Sequence, residues 1–116
     1  MNNKKNKVCI IGQGFVGLPM AIAVANSKNR NGSKNFNVFG IEKNNIRGEY
    51  LKRQINQGTL PINCADKKIY SVFKNIKKNN NFIVSTDISN ISNSKVVVVS
   101  INFEINYKKK DPFFLL

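Results

Sequence analysis

Residues 7–17, Lys-Val-Cys-Ile-Ile-Gly-Gln-Gly-Phe-Val-Gly, constrain the fold more than any other stretch, because a β-branched run leads directly into glycines spaced G-x-G-x-x-G. Val8, Ile10 and Ile11 have the character of a parallel strand covered on both faces. Leu18 to Ala25 reads as an apolar helix packed on that sheet, with Pro19 close enough to its start to cost at most about one backbone bond. Alone, the glycine pattern also fits an ordinary turn. Between a strand and a helix it gains a specific meaning: Gly12 makes the tight turn, Gly14 leaves room for phosphates, and Gly17 permits close helix packing. The amides at the helix N-terminus then face an anion. A dinucleotide site formed by Gly12, Gln13, Gly14, Phe15, Val16 and Gly17 is the expectation.

Such a site needs an acceptor for the adenosine ribose at the end of the second strand, and the run from Phe36 to Glu42 places Glu42 there. Glu42 follows Gly17 by 25 residues, and the polar stretch Ser27 to Asn35 explains the length as a surface loop. A carboxylate accepts the ribose hydroxyls and repels a 2′-phosphate, so NAD is expected rather than NADP. Lys43 and Arg47 soften that preference, and Arg47 joins the expected cofactor residues. The alternative for Glu42 is a solvated loop acid.

At 116 residues the chain makes at most one domain, small for a complete doubly wound sheet. No apolar run approaches the roughly 20 residues of a membrane span, and the Lys- and Asn-rich start lacks a signal peptide's apolar region. A cytoplasmic place and no membrane partner are expected by default. Two cysteines make no disulfide framework; Cys9 reads as strand core. The net charge of +13 raises nucleic acid as a partner, but the lysines are scattered and lack interleaved aromatics, so none is expected. With no histidine and sparse carboxylates, no metal site and no self-contained acid–base machinery are expected.

Further along, Asn44 to Gln57 is a basic amphipathic helix with Ile46, Tyr50, Leu51 and Ile55 at helical spacing, stopped by Gly58. Asp66 caps another helix through about Lys78 that buries Ile69, Val72, Phe73 and Ile76. Asn79 to Asn81 is a turn and Phe82 to Val84 a short strand. Lys95 to Ile101 is a β-branched strand suited to the centre of a sheet. The order is β-α-β-α-α-β-β, with a short crossover over Asp87 to Ser94. The fold class is α/β, a Rossmann-type doubly wound parallel sheet, incomplete at about four strands with flanking helices.

Four stretches in this order carry a family resemblance: Gly12 to Pro19, Val38 to Glu42, Ile55-Asn-Gln-Gly-Thr-Leu-Pro-Ile62, and Ser85-Thr-Asp87 before the Val96 to Val99 strand. The chain resembles the N-terminal NAD-binding domain of the UDP-glucose/GDP-mannose dehydrogenase family, closest to its UDP-N-acetylmannosamine and UDP-N-acetylglucosamine 6-dehydrogenase branch. The Asn-x-Gly helix end followed by Pro-Ile is the discriminating stretch, since the Rossmann fold does not demand it.

The resemblance implies an oxidoreductase that oxidises the C6 alcohol of a UDP-sugar to a carboxylate for polysaccharide biosynthesis, using NAD and a catalytic cysteine and lysine that lie beyond residue 116. No catalytic residue is expected in this chain, which alone is expected to be inactive, and a homo-oligomer is implied for the complete enzyme. Cys64 stands where the family commonly has glutamate, and Ile101-Asn-Phe-Glu104 replaces its Val-Pro-Thr-Pro, with Phe103 in place of the cofactor-contacting threonine. Ser85 to Asp87 reads more simply as a polar turn capped by Asp87. The expected organisation is a disordered start over 1–6, a partial NAD-binding domain over 7–104 and a truncated tail over 105–116, where Lys108 to Lys110 is a solvated run. The alternative is a stand-alone or degenerate dinucleotide-binding or interaction module without catalysis.

Overall fold

The computed structural model describes residues 6–101. The expectations for a disordered start, for Asn102 to Glu104 and for the tail fall on residues 1–5 and 102–116, outside the described ones; Asn6 itself already pairs in the first strand. The elements are β1 (Asn6–Ile11), α1 (Gly17–Asn26), β2 (Phe36–Ile41), α2 (Ile46–Asn56), α3 (Lys68–Asn79), β3 (Phe82–Ser85) and β4 (Val96–Val99). A one-turn 3-10 helix (Ile88–Ile91) interrupts the crossover to β4. The four strands among the described residues are all parallel, in the order β3-β2-β1-β4.

The alternation of strand side chains divides β1 between two faces. Val8 and Ile10 enter one apolar core with Val38, Phe82 and Val84 of the sheet, Leu18 and Ile22 of α1, Leu51 and Ile55 of α2, and Phe73 and Ile76 of α3. Cys9 faces the other way, where its Sγ lies 3.4 Å from Asn90 O and 3.0 Å from Ser94 Oγ of the crossover. A small side chain lets the crossover come that close. After β3 the chain crosses to the far side of β1, so the strand order reverses between β1 and β4 and opens a crevice at their C-terminal ends.

Several local expectations change. Ile46 is 92% exposed and Tyr50 also faces solvent, because the buried face of α2 runs through Gly48, Leu51 and Ile55 instead. The N-cap of α3 is Lys67 rather than Asp66, whose carboxylate accepts from Lys68 N at 3.0 Å. β4 is an edge strand among the described residues, with Val96, Val97 and Val99 exposed, since nothing described pairs with its outer side. The Ser27 to Asn35 loop contains an antiparallel bridge between Lys28 and Lys34. Asn81 is buried, its Nδ2 donating to Ala25 O at 2.7 Å and Phe36 O at 3.1 Å, so the turn after α3 is partly a core element. Gly58 ends α2 with φ 96°, as its role as a stop requires.

Two clasps hold α2 against β3. Asn56 Nδ2 donates to Val84 O and its Oδ1 accepts from Val84 N, both at 2.8 Å, so one amide replaces a neighbouring strand at that edge position. Thr86 Oγ1 donates to Glu49 Oε1 at 2.7 Å. The Asn-x-Gly helix end thus has a physical reason: its asparagine closes the sheet edge, and its glycine turns the chain away.

Candidate functional site

A cleft of about 280 Å³ opens at the C-terminal ends of β1, β2 and β4, walled by the Gly12 to Gly17 turn, the start of α2 and residues 100–101. Gly12 leaves β1 with φ 97°, and its N–H donates to Ile41 O at 2.8 Å. A Cβ there would collide with the Ser100 carbonyl, and one on Gly17 would collide with the Gly12 carbonyl. Gly17 is therefore demanded by the turn itself, while Ser100 Cβ, 3.4 Å from the same point, is only in van der Waals contact with it. Gly14 differs: a Cβ there would meet no atom within 4 Å, because it faces the open cleft. Leu18 N donates to Gly14 O at 3.1 Å and Met20 N to Val16 O, which sets α1 with its first amides toward this space.

The turn is fixed from beneath by Gln13, which is 1% exposed. Its Nε2 donates to Ile10 O at 2.8 Å and Gly12 O at 3.0 Å. Its side chain rests on Gly40 of β2, where a Cβ would come within 2.5 Å of Gln13 Cδ. Gln13 alone among the expected cofactor residues does not line the cleft. Its backbone N donates to Glu42 Oε1 at 2.6 Å, so Glu42 both borders the cleft and anchors the glycine turn.

Across from the turn, Asn45 caps α2 by accepting from Gly48 N at 2.7 Å, and Gly48 lacks a Cβ where the Lys43 carbonyl approaches. This tight entry puts Lys43, Asn45 and Arg47 on the cleft wall beside Glu42, a carboxylate flanked by two cations. Phe15 and Val16, 81% and 62% exposed, form an apolar lip. The chemistry on offer is anion recognition by backbone amides, hydroxyl recognition by Glu42, and apolar contact at the lip.

Asn45 was readable as an N-cap residue before an apolar-periodic run. Ser100 was not legible as a site residue, because only the pairing of β4 with β1 brings it here, its N donating to Ile11 O at 2.7 Å; Ile101 beside it begins the stretch that stands in place of the family's cofactor-contacting Val-Pro-Thr-Pro. Ser85 to Asp87 stay off the cleft: Asp87 caps the 3-10 helix by accepting from Ser89 N at 2.9 Å, and the Ser89 side chain first, then this backbone bond, hold its carboxyl below the ordinary range. Glu49 is lowered too, chiefly by the Thr86 hydrogen bond. Cys64 N donates to Tyr70 Oη at 3.1 Å in the loop before α3, and neither cysteine lines the cleft.

The family model described as "UDP-glucose/GDP-mannose dehydrogenase family, NAD binding domain" matches residues 6–111. No curated protein matches by sequence. Among solved structures, the chain is similar to an NDP-N-acetyl-D-galactosaminuronic acid dehydrogenase from Methanosarcina mazei Go1, with TM-score 0.75 and 22% identity over 88% of this chain and 20% of that one. It is also similar to a UDP-D-ManNAc dehydrogenase from Pyrococcus horikoshii, with TM-score 0.70 and 20% identity over 87% and 21%. A GDP-mannose dehydrogenase from Pseudomonas aeruginosa superposes with TM-score 0.66 and 19% identity over 87% and 20%. The chain thus spans about one fifth of the length of each.

Proposed function

Because this chain belongs to the UDP-glucose/GDP-mannose dehydrogenase family and carries its NAD-binding domain, we propose that it is the cofactor-binding part of a nucleotide-sugar 6-dehydrogenase. The reaction is oxidation of the C6 alcohol of a UDP-sugar to a carboxylate for polysaccharide biosynthesis, in the UDP-N-acetylmannosamine and UDP-N-acetylglucosamine branch. The chemistry NAD supplies when bound is acceptance of a hydride.

The observation that carries this reading is the joint position of Gly14 and Glu42. Gly14 presents bare backbone to the cleft at the start of α1, and Glu42 borders the same cleft at the end of β2. Gly12 and Gly17 keep the turn tight, and the amides around Gly14 to Gly17 bind the pyrophosphate. Glu42 accepts from the adenosine ribose, Phe15 and Val16 shield the ligand from water, and Arg47 flanks its adenosine end. Gln13 contributes by holding the turn from below. Neither cysteine borders the cleft, so the covalent chemistry on the sugar is assigned to residues outside this chain. We place the assembled enzyme in the cytoplasm as a homo-oligomer. Among the described residues no helix is long and apolar enough to cross a membrane.

Paired titrations test this. The purified chain is expected to bind NADH saturably and NADPH much more weakly, and to produce no NADH from NAD and a UDP-sugar. Binding of neither cofactor, or equal binding of both, contradicts the assignment.

A further inference from the structure

We propose that the Ser100 hydroxyl is a cofactor-binding group that hydrogen-bonds the nicotinamide-side phosphate of the dinucleotide, an inference that rests on the NAD reading above. Ser100 N donates to Ile11 O at 2.7 Å, extending the β4–β1 ladder one residue past Val99. That fixes Ser100 where the strand order reverses, the place where open α/β sheets bind ligands.

Both glycines that flank the crevice lie against this residue. The Ser100 carbonyl fills the space a Gly12 side chain would need, and Ser100 Cβ lies 3.4 Å from where a Gly17 Cβ would stand. The side chain therefore sits beside the first residue of α1, and Ser100 lines the cleft. Its hydroxyl makes no hydrogen bond with any described residue. A hydroxyl can donate to a phosphate oxygen, and no bond from a described residue competes for this one.

The half of the ligand it meets follows from topology. Glu42 lies at the end of β2, on one side of β1, and Ser100 follows β4 on the other. An adenosine ribose at Glu42 and phosphates over Gly14 leave the nicotinamide half to pass Ser100. AMP, which carries only the adenosine-side phosphate, should not reach it.

Titrations of NADH and AMP into the wild-type chain and Ser100→Ala, with thermal unfolding of both, test this. The expected result is about a tenfold loss of NADH affinity, the scale of one hydrogen bond to a charged group. AMP affinity and the unfolding midpoint should not change. Ser100→Cys, similar in size with a far weaker donor, should behave as Ser100→Ala. Undiminished NADH affinity overturns the inference, as does an equal loss for NADH and AMP or a lowered midpoint. A wild-type chain that binds neither ligand overturns the NAD reading and this inference together, whereas normal NADH binding by Ser100→Ala removes Ser100 alone.

Discussion

The backbone N–H of Gln13 donates to Glu42 Oε1 at 2.6 Å, so the acid at the end of β2 holds the glycine turn that follows β1. In the proposed NAD site Glu42 would therefore serve twice, as an acceptor for the ribose and as the anchor of the glycine turn. Glu42→Ala should lower NADH affinity by more than tenfold, since a charge-assisted bond on each side is lost, each worth about 1.5–3 kcal/mol. Glu42→Gln keeps an oxygen for Gln13 N but removes the charge, so it should lose less for NADH and gain for NADPH. Fluorescence titrations of both cofactors check this, and a Glu42→Gln variant with unchanged discrimination would remove Glu42 from the ribose site.

Gly40 and Gln13 form a size-matched pair. An alanine at 40 would put its Cβ within 2.5 Å of Gln13 Cδ and 2.7 Å of Oε1. Gly40→Ala is expected to cost about 1–3 kcal/mol by overpacking and to disturb the turn above it. Gln13→Ala in the same chain should recover part of that loss. Denaturant unfolding of the two single variants and the double gives the coupling, and strict additivity would contradict the contact.

Much of this was readable locally and some was not. The strand, glycine turn and helix over residues 7–25 follow from neighbours in sequence, as does the place of Glu42. The buried face of α2 was harder, because Ile46, Tyr50, Leu51 and Ile55 fit a helical stripe and only packing in the folded chain selects among such stripes. Gly48 packs on the Lys43 carbonyl and Asn56 grips Val84, which rotates Ile46 and Tyr50 to solvent. Four successive valines in β4 satisfy an edge or a central strand equally well. Asn81 has the composition of a turn but carries two side-chain bonds into the core, to Ala25 and Phe36.

Asn56 is expected to be a stability residue that acts at the sheet edge. Asn56→Ala strips both partners from the Val84 backbone and should cost about 2 kcal/mol, from two bonds of about 1 kcal/mol each. The bared edge should also raise aggregation on concentration. Asn56→Asp keeps the acceptor for Val84 N and loses the donor to Val84 O, so it should fall between. An Asn56→Ala variant as stable as the parent would show that the clasp contributes nothing.

The Thr86 bond predicts an acid-limb effect. It holds Glu49 below its ordinary 4.5, so the folded chain binds fewer protons there than the unfolded one. The stabilisation is fully present above that ordinary value and is lost as pH falls through the lowered one. Thr86→Val removes the largest cause, so the Glu49 carboxyl should titrate closer to its ordinary value and stability should depend less on pH in that window. Carboxyl NMR titration of Glu49 in both chains reports it directly; an unmoved midpoint would contradict the bond.

The most direct measurement is calorimetric titration of NADH into the wild-type chain and Gly14→Val, with thermal unfolding of each. A Cβ at Gly14 meets no protein atom within 4 Å, so added bulk there enters the cleft rather than the core. Saturable 1:1 binding by wild type, abolished in Gly14→Val at an unchanged unfolding midpoint, is the result expected of a pyrophosphate site at this turn. Undiminished binding by Gly14→Val, or no binding by a folded wild-type chain, would contradict it.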